Sequence, residues 1–127
     1  MRRATLVILV LAAVLAAPAS AAGPGSFARL YGPYGGPIRL DANFHASDTC
    51  QAALEAHQAA PAGQRVPPFV VPVTIVIGPN PLGCTDTRIV RRIVTVGGAG
   101  VDQMIRIFFV NPSGRILKTE NVAVQSQ

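Results

Sequence analysis

The chain predicts an α+β domain: an antiparallel β-sheet of about four strands, with one short helix packed on it and tethered by a disulfide. Three observations predict this class. Several strand-like segments follow one another without alternating helices, which argues against a parallel βαβ layout. A single segment combines helical periodicity with a capping residue and a stop signal. Two cysteines, Cys50 and Cys84, are the only ones in 127 residues.

The amino terminus comes first. Met1-Arg2-Arg3 places two positive charges ahead of an unbroken apolar run from Leu6 to Ala17, followed by Pro18 and the small residues Ala19-Ser20-Ala21-Ala22. Charged, apolar and small-residue regions in that order form a secretory signal. The run is twelve residues long, against about 20 needed to span a bilayer. Residues 1–22 are therefore expected to be removed, leaving a periplasmic or extracellular product with no transmembrane segment. Without Arg2 and Arg3, nine basic residues face six acidic ones, a net +3 in place of the full chain's +5. This mild excess does not argue for nucleic acid as a partner, and export argues against it.

Residues 23–45 are expected to form an arm rich in Gly, Pro and Tyr, with Tyr31-Gly32-Pro33-Tyr34-Gly35-Gly36-Pro37 at its centre. Glycine and proline at this density oppose regular structure, apart from a short strand over residues 27–31. Tyr31 and Tyr34 are amphipathic and suit either packing of the arm or stacking of a ligand. The domain proper is expected over residues 46–127.

The helix is predicted over residues 49–60. Asp48 stands at the cap position with Gln51 three residues on, a capping-box pattern. Cys50, Ala53, Leu54 and His57 follow the spacing i, i+3, i+4, i+7, and Pro61 and Gly63 end the segment. Strands are predicted over residues 69–77, 88–96, 103–110 and 115–124. In the first, Phe69, Val71, Val73, Ile75 and Ile77 make an apolar face, while Pro72 requires an edge position or a bulge. The last two form a hairpin through Asn111-Pro112-Ser113-Gly114, with glycine in the left-handed position of a bulged three-residue loop. Continuing that register pairs Phe109 with Leu117, Phe108 with Lys118 and Arg106 with Glu120.

Few residue patterns carry chemistry. In an oxidising compartment Cys50 and Cys84 are expected to pair, closing the helix onto the sheet. His45 and His57, with the two thiols, form the alternative of a metal-binding protein, chemically suited to zinc or copper. Gly97-Gly98-Ala99-Gly100 follows a strand but opens no helix, so a phosphate-cradling loop is not expected. No nucleophile elbow, zinc-protease motif or close acid pair is present, so neither an enzyme nor a cofactor is expected. Arg88, Arg91 and Arg92 are the one charge cluster, with Arg88 and Arg92 on a common strand face. Phe108 and Val110 point away from the core side of their strand.

Together these observations predict a small exported, non-catalytic binding or interaction protein of the cell envelope. Its contact surface would be a sheet face carrying Arg88, Arg92, Phe108 and Val110, with Tyr31 and Tyr34 beside it. The partner would be a protein or an anionic envelope component, and an inhibitor of a secreted hydrolase would be one form of such a protein.

Overall fold

The computed structural model describes residues 25–30, 37–97 and 103–125. Seven strands follow in order: β1 (Phe27–Leu30), β2 (Ile38–His45), β3 (Gln51–His57), β4 (Val70–Pro79), β5 (Ile89–Val96), β6 (Met104–Val110) and β7 (Ile116–Gln125). They form one sheet in the order β3-β4-β6-β7-β1-β2-β5. The sheet curls so that its two edges approach each other. Across that seam Arg92 Nη1 donates to the Ala53 carbonyl at 3.2 Å. The Gln58 amide brackets Gly97, donating to its carbonyl at 2.6 Å and accepting from its N–H at 3.0 Å. The result is a nearly closed barrel.

This corrects the expected class. The protein is all-β among the described residues, with seven strands and no helix in place of four strands and one helix. The sheet is also mixed, because β4 pairs parallel with β6 and β1 parallel with β7. The segment expected to be helical is β3, and the reason is local. Asp48 does bond the Cys50 N–H, at 2.7 Å, but this side-chain-to-backbone bond also closes an Asx turn, from which the chain leaves extended. The helical spacing has a different origin. The pairing of β3 with β4 shifts between Ala53 and Glu55, so Leu54 is an extra, bulged residue. The bulge puts Ala53 and Ala56, three apart, on one face against the core. A bulged strand thus reproduces the i, i+3 pattern of a helix, and a short isolated helix has little stability with which to compete.

The four strands expected beyond residue 60 are β4 to β7. Residues 23–45, expected as an arm, contribute β1 and β2, which lie between β7 and β5. Pro72 of β4 stands beyond the reach of β3, whose pairing covers only Thr74 to Pro79 of that strand. There the strand has a neighbour on one side only, so a missing N–H is tolerated.

The β6–β7 turn forms as the sequence requires. Gly114 has φ 92°, its N–H donates to the Asn111 carbonyl at 2.9 Å, and the Asn111 N–H donates to the Arg115 carbonyl at 2.9 Å. Beyond Val110 the register departs from expectation. Leu117 is bulged out, and Phe109 pairs with Lys118, Phe108 with Thr119 and Arg106 with Asn121. Arg106 Nε accordingly donates to Asn121 Oδ1 at 2.9 Å. Glu120 turns instead to Ser26, accepting from its N–H at 3.0 Å and its Oγ at 2.9 Å. A bulge sharpens strand twist, which suits a strand that pairs with β6 along most of its length and with β1 at its end.

The barrel interior is one apolar core. Ile38, Leu40 and Ala42 of β2 meet Val73, Ile75 and Ile77 of β4 and Ile105, Ile107 and Phe109 of β6. Toward one end of it Phe109 packs on Phe44 with ring centroids 5.0 Å apart. Cys50 and Cys84 are joined, their α-carbons 3.9 Å apart. The bond ties the start of β3 to the β4–β5 connection rather than a helix to a sheet. Beside it, Asn80 N–H donates to Cys50 O at 2.9 Å and Thr85 N–H to Thr49 O at 2.8 Å.

Candidate functional site

The outer face of β1, β2 and β5 brings together four charged side chains, Arg29, Arg39, Asp41 and Arg91. Antiparallel register sets Arg29 opposite Arg39 and Phe27 opposite Asp41. On the other side of β2, Asp41 lies opposite Ile93, Arg39 opposite Thr95 and Asn43 opposite Arg91. Directly opposed residues project to the same face, so Phe27, Arg29, Arg39, Asp41, Arg91 and Ile93 share the outside. Their neighbours Ala28, Ile38, Leu40, Val90 and Val96 fill the core.

Asp41 anchors this face. Its side chain is only 3 % exposed, whereas those of Arg39 and Arg91 are 44 % and 56 % exposed. Arg91 grips it with both arms of its fork, Nε to Oδ1 at 2.6 Å and Nη2 to Oδ2 at 3.1 Å. Such bidentate pairs are among the stronger and more directional polar contacts. Arg39 Nη2 stands farther off, 3.7 Å from Oδ2. These bonds from Arg91 lower the Asp41 pKa. Burial opposes the shift, and the charges of Arg91 and Arg39 reinforce it. The same bonds raise the Arg91 pKa.

A carboxylate whose folded pKa is depressed stabilises the fold fully above its unfolded value and loses that contribution as pH falls through the folded value. The midpoint of urea unfolding is therefore expected to fall as pH drops below about 4. In D41N that part of the acid dependence should flatten. An unchanged acid profile in D41N would show that the Asp41–Arg91 pair does not contribute to it.

The face holds a shallow concavity of about 240 Å³ lined by Phe27, Arg29, Arg39, Asp41 and Arg91. A second, of about 410 Å³, shares Arg39 and is bounded by Pro37, Ile38, Ile93 and Thr95. Three guanidinium groups against one carboxylate make a fixed positive field. Arginine keeps its proton and Asp41 is held ionised, so the arrangement is suited to binding anions rather than to moving protons.

The residues singled out in the sequence are dispersed. Arg88 is exposed beyond the start of β5. Arg92 lies on the core side of its strand opposite Ala42, and its guanidinium is spent on the Ala53 carbonyl at the seam. The two therefore do not form a cationic patch. Phe108 and Val110 are 3 % and 4 % exposed, so the apolar surface expected for a partner is not there. Thr74, opposite Phe108 on β4, donates to the Ala59 carbonyl at 2.7 Å, which brings the β3–β4 connection to this side of the sheet. Tyr31, Tyr34 and residues 1–22 lie outside the described residues.

His45 and His57 are not brought together. His45 lines a groove of about 450 Å³ at the barrel end, with Phe44, Ile77, Asn111 and Pro112 among its walls. His57 is absent from those walls and sits 3.2 Å from Glu55. The sulfurs are bonded to each other, and no group of three or more metal-ligating side chains occurs among the described residues.

The outer-face residues missed in the sequence had a visible signal. Residues 38–45 read Ile-Arg-Leu-Asp-Ala-Asn-Phe-His, a strict alternation of apolar and polar residues that marks a half-buried strand. Its polar phase is Arg39, Asp41 and Asn43. An all-β, nearly closed barrel with one disulfide and a cationic outer face is the class that fold and site define. The chain matches no protein-family model, no curated protein and no solved structure.

Proposed function

We propose that this is a small exported, non-catalytic binding protein of the cell envelope, periplasmic or extracellular, and that the outer face of β1, β2 and β5 is its contact surface for an anionic partner. One observation carries the reading. Arg29 and Arg39 stand directly opposite each other, while Asp41, the carboxylate beside them, is already gripped in bidentate fashion by Arg91. Like charges placed across a strand pair cost stability, and an anionic partner would remove that cost. The signal-like amino terminus supports export, and the Cys50–Cys84 bond is compatible with it. Among the described residues no helix is long and apolar enough to cross a membrane. A metal-binding alternative would have to rest on His45 and His57 without the thiols.

Retention on phosphorylated dextran beads against neutral dextran tests the reading. The protein should be held on the anionic beads and released by salt, since exposed charge pairs are screened. R29Q/R39Q should elute at clearly lower salt than R115Q/K118Q, which removes the same charge from the exposed β6–β7 hairpin. Equal elution of the two variants would reduce the effect to net charge and remove the face from consideration.

A further inference from the structure

We infer that Arg29 and Arg39 together seat the phosphate of one soluble phosphate monoester, with Asp41 and Arg91 holding the seat's shape. This rests on the reading of the outer face as an anion-binding surface and names its ligand. Charge complementarity is the first argument. Three guanidinium groups and one carboxylate leave two uncompensated positive charges around a concavity of about 240 Å³, which matches a dianion rather than a carboxylate or sulfate monoester. A phosphate monoester carries a charge of about −1.5 to −2 at neutral pH.

Donor supply is the second argument. Arg29 has no hydrogen-bond or ion-pair partner among the described residues, and Arg39 has only the long 3.7 Å approach to Asp41. Both forks are therefore available, and opposed residues of an antiparallel pair have α-carbons about 4.5–5.5 Å apart. Two neighbouring guanidinium planes at that spacing can each present paired N–H donors to one tetrahedral oxyanion. Arg91 is committed to Asp41, which in turn sits under Arg39 and limits where its fork can settle.

The apolar neighbours give the third argument. Phe27 and Ile93 are 43 % and 46 % exposed and flank the arginines. They offer contact to the organic part of an ester. Two separate side chains do not make the continuous apolar surface that docking on a lipid layer requires.

Phenyl phosphate is the probe, titrated at neutral pH against the full-length protein and followed by the NMR signals of the Arg29 and Arg39 side chains. These signals should shift in a saturable way, and R29Q/R39Q should bind about tenfold more weakly. Phenyl sulfate, with the same ring and one charge fewer, should bind several-fold more weakly than phenyl phosphate. Unchanged thermal midpoints for R29Q/R39Q would show that the loss is not unfolding. Equal affinity of wild type and R29Q/R39Q, or equal binding of the phosphate and sulfate esters, would overturn the assignment. Binding to vesicles containing phosphatidic acid without binding of phenyl phosphate would overturn it in favour of a lipid surface. If Arg29/Arg39-dependent retention on the anionic beads persists while phenyl phosphate fails, the anion-binding face stands and only the monoester seat falls.

Discussion

Breaking the Cys50–Cys84 bond, by reductant or in C50S/C84S, is expected to lower the thermal midpoint by about 15 °C, from a loss of roughly 3–4 kcal/mol in a domain of this size. The loss is estimated from the 34-residue separation that the bond closes, through the freedom it removes from the unfolded chain. The native side points the same way. β3 is an edge of the sheet order, paired by strand hydrogen bonds only with β4 and interrupted by the Leu54 bulge. Its other side meets β5 through side chains, Arg92 to Ala53 and Gln58 to Gly97. Once the cystine is gone, the start of β3 is held only by its pairing with the end of β4 and by the loop hydrogen bonds at Asn80 and Thr85. Hydrogen exchange should therefore accelerate in β3 well before it does in β6. A midpoint indifferent to reductant would show that the bond constrains neither state.

The sequence made the strands legible and their arrangement mostly illegible. β4 to β7 follow from apolar patterning and turn chemistry, and the Asn111–Gly114 turn follows from its residues alone. β2 is equally legible from its alternation, but the Gly/Pro segment beside it opposes regular structure and masks that signal. β3 was not legible, because a bulge converts period two into an apparent helical spacing and Asp48 serves a turn as readily as a helix start. The parallel pairing of β4 with β6 left a trace that could have been used. Strands buried on both faces read as nearly continuous apolar runs, and both Val73-Thr74-Ile75-Val76-Ile77 and Ile107-Phe108-Phe109-Val110 do so.

The candidate site shows the same division. That a sheet face would carry arginines was legible in the composition of the strands. Which arginines would meet was not, because Arg91 lies 52 positions beyond Arg39 and joins Arg29 and Arg39 only through two strand pairings. Arg88 and Arg92, four apart in sequence, part company because Arg88 precedes β5 in the open while Arg92 turns to the Ala53 carbonyl at the seam. A residue's partners across the sheet, which the strand order decides, determine whether its charge is spent or free.

Phe108 and Phe109 put that principle to a test of stability. They point to opposite faces of β6, yet both are buried, 3 % and 1 % exposed. F109A should cost about 3–5 kcal/mol, since it empties a fully buried core position and removes a ring contact with Phe44. F108A should cost toward the lower end of the same range, about 3 kcal/mol, because its ring lies outside the main core cluster. Urea unfolding of both variants reads the difference. A Phe108 that served a partner instead of the fold would lose partner binding on substitution and leave the midpoint unmoved. The expected result is the reverse: F108A loses stability, while its elution from anionic beads, which the proposed contact surface assigns to Arg29 and Arg39, stays that of the wild type at temperatures where it remains folded.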